Sequence, residues 1–180
     1  MREREKIRVL AAYHVAGARL GSQRDFSALV TLFDTRLRAH ARRLCDDGDT
    51  ARDIVQEAWL AIARGLGGLR DDHAFLPWAL RIVTRTAARD LGRKRRQRDA
   101  QQGYSETLDE TPIDAPDLST AIATLPAPQR AVLALFYLDE MSVAEVAVAL
   151  DIPPGTVKTR LMHARAKLRA YLDGENNGQT

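Results

Sequence analysis

The sequence predicts an all-α protein built as two small helical domains joined by a flexible acidic linker. Three observations predict it. Aromatic residues make up only 6% of the 180 residues, while Ala, Leu and Arg abound, a mix that favours helices over sheets. Apolar residues recur at three- and four-residue spacing in one window after another. Charge then divides the chain. Residues 64–98 carry ten Lys or Arg against three acids, residues 99–117 carry six acids and no base, and residues 152–172 carry five bases and no acid.

The first strong helical pattern is Phe26, Leu29, Val30, Phe33, Leu37, Ala41 and Leu44, one face of a helix of roughly five turns. Asp25 is its expected cap. Gly48 breaks the pattern. A second helix carries Ala51, Ile54, Val55, Ala58 and Ile62, with Asp49 or Thr50 at its N-cap and Asp53 in its first turn. Gly65 to Gly68 end it. A third presents Phe75, Trp78, Ala79, Ile82, Val83 and Thr86 or Ala87, and Pro77 fits only within its first turn. Residues 99–117 contain two prolines and little apolar periodicity, so they read as a solvated linker.

Beyond the linker, Leu118, Ala121, Ile122 and Leu125 suggest a short helix. Pro126 and Pro128 punctuate it and restart another with Val132, Leu133, Leu135 and Phe136. Ser142 followed three residues later by Glu145 is a capping box in sequence form, opening a helix with Val143, Val146, Ala147 and Leu150 inward. Asp151-Ile152-Pro153-Pro154-Gly155 cannot continue that helix, because proline lacks the N–H and clashes with the preceding turn. A last helix spans about residues 156–172, with Val157, Leu161, Ala164 and Leu168 on its buried stripe.

Several function classes are disfavoured. No apolar run approaches the roughly 20 residues of a membrane span, and the charged N-terminus does not read as a signal peptide. Cys45 is the lone cysteine, so an internal disulfide framework and cysteine-rich zinc sites fall away. His14, His40, His73 and His163 lack metal-ligand spacing, and no phosphate loop or catalytic signature is present. The expectation is a cytoplasmic protein that is not an enzyme and has no cofactor or metal.

Short helix, tight turn and longer basic helix make a helix-turn-helix pattern, whose second helix fits the DNA major groove. Its outward face would carry Lys158, Thr159, Met162, His163 and Arg165, with Arg160 at the margin. The amides near Gly155 and Thr156 suit a phosphate. A solvated basic face is the blander alternative. Upstream, Arg81, Arg85 and Arg89 repeat at every fourth residue and so share a face, extended by the run Arg93 to Arg96. Such a row attracts a phosphate backbone, although charge runs are often only solvated. Trp78 belongs either on an unpaired base or in the core. Asp53, Gln56, Glu57 and Leu60 form an exposed acidic and amide-bearing face opposite the second helix's apolar stripe.

Taken together, these segments resemble the extracytoplasmic-function (ECF) sigma factors of the sigma-70 superfamily. Asp53-Ile54-Val55-Gln56-Glu57-Ala58-Trp59 and Phe75-Leu76-Pro77-Trp78-Ala79-Leu80-Arg81-Ile82 are similar to region 2 motifs. Leu125 to Arg130, Ser142 to Ala147 and Gly155 to Leu161 are similar to region 4. The resemblance implies residues 25–98 as region 2, 99–117 as linker and 118–172 as region 4. Residues 1–24 are then an N-terminal extension, an extra helix or a loose tail, and 173–180 a polar tail.

The resemblance also implies partners. They are core RNA polymerase, through the clamp helices of its largest subunit and the flap of its second-largest, promoter DNA, and an anti-sigma factor by analogy. No membrane is implied. The implied polymerase contacts are Asp53, Gln56, Glu57 and Leu60. Trp78, Arg81, Arg85, Arg89 and Arg93 would meet the −10 element. Gly155, Thr156, Lys158, Thr159, Arg160, Met162 and His163 would meet the −35 element. The chain departs from the usual family residues at Arg85, Arg89 and His163. The rival reading is a polymerase-independent helix-turn-helix regulator, which has no need of the acidic face or of the Trp-bearing basic helix.

Overall fold

A computed structural model describes residues 3–45, 47–101, 121–122 and 124–176. Among them are seven α-helices and no strand. They are α1 (Glu3–Arg19), α2 (Gln23–Leu44), α3 (Gly48–Gly65), α4 (Phe75–Gln101), α5 (Ala127–Tyr137), α6 (Val143–Leu150) and α7 (Pro154–Asn176). Short 3-10 turns, Leu66–Gly68 and Asp72–Ala74, connect α3 to α4. Most of the acidic linker, and most of the helix expected from Leu118, lie outside the described residues. The linker's first three residues belong to the end of α4, and α7 runs past the expected end at 172.

The helix starts differ from expectation in instructive ways. Ser22, not Asp25, caps α2, its hydroxyl accepting from the Asp25 amide at 3.2 Å. Asp25 sits in the first turn, where its carboxylate meets His14 Nδ1 at 2.8 Å. The Ser22 hydrogen bond, then His14, hold that carboxyl below its usual range. Asp47 caps α3, accepting from the Thr50 amide at 2.9 Å and the Asp49 amide at 3.3 Å. A carboxylate at this position reaches two free amides at once, so the helix begins earlier than Asp49 and Asp53 falls beyond its first turn.

Of the N-terminal extension, residues 3–19 form the extra helix, packed on the bundle. Helix α1 buries Ala11 and Val15 against α2. Arg19 ties it to the connecting turns, with Nη1 2.7 Å from Asp72 and Nε donating to the Leu66 carbonyl at 3.1 Å. The central core holds Leu29, Phe33, Leu37, Val55, Ile62, Phe75, Leu80 and Val83, all buried. Phe33 and Phe75 meet at 5.2 Å between ring centroids. Each such side chain, fully buried, contributes about 1.5–3 kcal/mol.

The second half of the chain packs onto this core and adds a small cluster of its own. Val132, Leu135, Met141, Val146, Leu150, Val157 and Leu161 join the same buried cluster. Helix α6 packs on α4, and α5 reaches α2. A small second cluster of Leu125, Leu133 and Ala164, flanked by Ile122 and Leu168, holds α7 to α5.

Candidate polymerase and promoter interfaces

Helix α3 turns its apolar stripe inward and leaves Asp53, Gln56, Glu57 and Leu60 exposed, so the four share one accessible face. Leu60, at 59% exposure, is a large apolar side chain with no cover in the structure. Trp59 beside it is anchored differently. Its indole N–H donates to Asp34 at 3.0 Å, and its ring meets Phe26 edge-on.

On α4 the arginine row is real, but its members are already engaged. Arg81 and Arg85 both grip Asp151. Arg81 Nη2 lies 2.7 Å from one carboxylate oxygen, and Arg85 Nε donates to the other at 2.9 Å. Arg89 pairs with Glu57 at 3.3 Å, joining the α4 row to the α3 face. Arg93 pairs within its own helix, with Asp90. Trp78 is half-buried and packs on the core beside Phe75. Its six-membered ring edge stands close to Gly65, where an added Cβ would sit 3.4 Å away.

The helix-turn-helix is α6, the turn and α7. The capping box is complete. The Glu145 amide donates to Ser142 Oγ at 3.2 Å, and the Ser142 amide returns a bond to the Glu145 carboxylate at 2.8 Å. Asp151 ends α6 in the left-handed region, at φ 56°, where Asp and Asn are the commonest non-glycine residues. That conformation lets the Asp151 and Ile152 amides fold back to the Val148 and Ala147 carbonyls at 3.2 and 3.1 Å. Val157, Leu161 and Ala164 are buried. Gly155, Lys158, Thr159, Met162 and His163 are exposed, with Thr156 and Arg160 at the margins. Arg165 is drawn aside, its Nε donating to the Tyr137 hydroxyl at 2.8 Å with its guanidinium over the Tyr137 ring.

Several polar groups that organise these faces carry no motif. Thr84, between Arg81 and Arg85, has one hydroxyl proton and two carbonyls within reach, Ala149 at 2.7 Å and Leu80 at 3.0 Å. It therefore accepts from His40 Nε2–H, 2.9 Å away. His40 is fully buried. Burial first, and the Arg43 charge second, push its pKa down to about 3, so the imidazole is neutral. Arg4 on α1 bonds the Glu145 carboxylate at 2.6 Å and the Glu140 carbonyl. Asp151 reads in the sequence only as a helix breaker. Its charge beside a turn was the one available signal, and nothing local says which arginines it would meet.

The described residues thus combine a helical bundle, with an acidic exposed face on α3 and an arginine row on α4, and a helix-turn-helix. Comparison with known proteins agrees: residues 29–97 match the family described as sigma-70 region 2, and residues 117–168 match sigma-70, region 4. The chain is 33% identical over 182 residues to the ECF RNA polymerase sigma factor SigM of Mycobacterium tuberculosis, covering 98% of this chain and 89% of that one. It is 30% identical over 163 residues to the ECF RNA polymerase sigma-E factor of Escherichia coli, covering 81% and 85%. The solved structure of CnrH in complex with the cytosolic domain of CnrY superposes with a TM-score of 0.66 at 27% identity, over 92% of this chain and 98% of CnrH. The RpoE–NepR complex from Bartonella quintana shares the fold, with a TM-score of 0.64 at 24% identity over 83% of this chain and 97% of that one. The chain belongs to the ECF sigma factors of the sigma-70 family.

Proposed function

We propose that this ECF sigma factor binds core RNA polymerase chiefly through the α3 face, Asp53, Gln56, Glu57 and Leu60. It directs the enzyme to a two-part promoter. Trp78, Arg81, Arg85, Arg89 and Arg93 on α4 handle the −10 element, whose bases are read out of the stack. Gly155, Thr156, Lys158, Thr159, Arg160, Met162 and His163 present the α7 face to the −35 duplex, phosphates positioning and base edges specifying. Region 4 also rests on the flap of the second-largest subunit. The protein is a specificity subunit rather than a catalyst, and it works where RNA polymerase works. No helix among the described residues is long and apolar enough to cross a membrane.

The observation that carries this reading is the presence, in one chain, of the uncovered Leu60-centred acidic face and two separate basic DNA-type faces. A self-sufficient regulator needs only one of the three. Splitting the DNA contacts between modules leaves each weak alone, and attachment to the polymerase raises their effective concentration. CnrH and RpoE were each solved with a protein partner, the latter an anti-sigma factor. An anti-sigma factor is accordingly the expected regulator here too. The test is transcription by purified core polymerase on a genomic promoter library, with and without the protein. Start sites that appear only with it and share two upstream elements support the reading. No stimulation, with binding of the protein alone to palindromic duplex, overturns it.

A further inference from the structure

Helix α1 ends on the turns that join α3 to α4, and one side chain makes the join. Arg19 Nε donates to the Leu66 carbonyl at 3.1 Å, and its Nη1 lies 2.7 Å from Asp72. Leu66 opens the first 3-10 turn and Asp72 opens the second, so one planar guanidinium spans the connection. The Leu66 carbonyl also closes its own turn, accepting from the Leu69 amide at 3.2 Å. Asp72 Oδ1, the oxygen beside Arg19, is a buried atom, and the Arg19 charge is what offsets its burial. Arg19 is itself held in place. Gly17 runs so close to α2 that an added Cβ would collide with the Asp25 carboxylate, and His14 meets that carboxylate at 2.8 Å. Gly21 then turns the chain, at φ 89°, into the Ser22 cap of α2.

The connection that Arg19 clamps is the one that seats Trp78. Gly65, just before Leu66, is the residue whose added Cβ would stand 3.4 Å from the Trp78 six-membered ring. Helix α4, with Trp78 in its first turn, begins three residues after Asp72. The wall behind the ring and the helix that carries it are therefore tied to one another through Arg19. Arg19 lies outside residues 29–97, the segment that matches region 2.

We infer that Arg19 is a positioning residue for −10 recognition: by holding Leu66 and Asp72 together it fixes the height and angle at which the Trp78 ring meets an unpaired base. This rests on the reading of Trp78 as a −10 contact. Stacking is short-ranged and depends on the plane of the ring, so a seat that can shift relaxes the base preference although Arg19 itself touches no DNA. Arginine suits the task because its rigid fork serves a carbonyl and a carboxylate in one fixed plane, whereas lysine offers a point charge. Helix α7 packs on α5 and α6, so the −35 preference serves as an internal control.

The full chain is assayed with core polymerase on a promoter library randomised through both upstream elements, with start-site sequencing, core affinity and a thermal melt alongside. Trp78→Leu keeps apolar bulk beside Phe75 and removes the aromatic face. Arg19→Ala should flatten the preference at the −10 position that Trp78→Leu also flattens, by about three- to tenfold, with −35 preference and core affinity unchanged. Arg19→Lys should melt closer to the parent and show the same shift, smaller; it carries the test if Arg19→Ala does not fold. An unchanged −10 preference in every Arg19 variant that folds overturns the inference. So does a loss of −10 and −35 preference together, which marks a loosened fold. Failure of the underlying reading is distinct. A parent chain that yields no dependent start sites overturns the proposed function, and an unaltered −10 preference in Trp78→Leu overturns the placing of Trp78 and the inference with it.

Discussion

His40 Nε2 stands 2.9 Å from Thr84 Oγ1, and this bond crosses from α2 to α4 directly beneath the point where α6 docks. Because the Thr84 proton goes to a carbonyl, the imidazole carries its own proton on Nε2. Its Nδ1 is then a bare, buried acceptor with no partner in the structure. A second proton would place a charge in the core beside Arg43, which burial forbids.

This makes His40 a source of pH-dependent stability. Its folded pKa, about 3, lies below the ordinary histidine value of 6.5, so between those values the unfolded chain binds a proton that the folded chain does not. Stability is fully present above the ordinary value and falls as pH drops through the window, by roughly tenfold in the unfolding equilibrium per pH unit. Asp25, Asp47, Glu145 and Asp151, all held below their usual values, lose their contributions only in the carboxylate range. Asp139, raised by burial, acts in the opposite sense. Urea unfolding between about pH 7.5 and 5 should show the slope, and His40→Gln should flatten it. Equal slopes in both proteins would count against a buried neutral histidine.

Removing the Thr84 hydroxyl should be expensive for its size. Thr84→Val preserves shape but leaves His40 Nε2–H and the Ala149 carbonyl without their partner. Groups stripped in this way cost about 1–3 kcal/mol each. Thr84→Ser restores the oxygen and should recover most of the loss. Chemical denaturation of the three proteins checks this; a Val variant as stable as the parent, with Ser destabilised, would assign the role to the methyl group instead.

Local patterns in the sequence were enough for the helices and for the exposed faces. The stripe Ala51, Ile54, Val55, Ala58, Ile62 puts Asp53, Gln56 and Glu57 outward by geometry alone, and Ser142 with Glu145 marks the start of α6. What could not be read were long-range pairings. Arg81 and Asp151 are seventy residues apart, and the acidic segment between them gave no reason to bring them together. Two N-caps were misplaced for a smaller reason: Ser22 and Asp47 precede the apolar stripes they serve, so periodicity starts counting after them. The N-terminal helix was ambiguous because only Ala11 and Val15 are buried, too few to make a stripe.

Asp53→Ala with Gln56→Ala should separate binding from folding. Both side chains are exposed on α3, and exposed substitutions away from caps usually move stability by about 0.5 kcal/mol or less. The thermal midpoint should therefore hold, while affinity for core polymerase falls by an order of magnitude or more if this face is the dock. Surface-plasmon measurements on immobilised core enzyme, beside a thermal melt, read both quantities. Unchanged affinity would move the dock elsewhere.

The α7 face should divide into charge and specificity. Lys158 is an exposed point charge in the first turns of the helix, suited to a phosphate. Lys158→Ala should then weaken binding to all duplexes alike and reduce the salt slope by about 1. Met162 and His163 are exposed one turn further along, and an apolar side chain and an imidazole can contact thymine methyls and base edges. Met162→Ala and His163→Ala should leave the salt slope intact and redistribute the preferred −35 sequences in a selection from a randomised promoter library. Thr159 is intermediate in character, since its hydroxyl donates back to the Gly155 carbonyl at 3.1 Å. That leaves its oxygen to accept from a base amino group or, on rotating, to donate to a phosphate. If Lys158→Ala changed the preferred sequence while His163→Ala changed only the salt slope, the two residues would have to exchange roles, and α7 would sit in the groove rotated from the orientation its buried stripe implies.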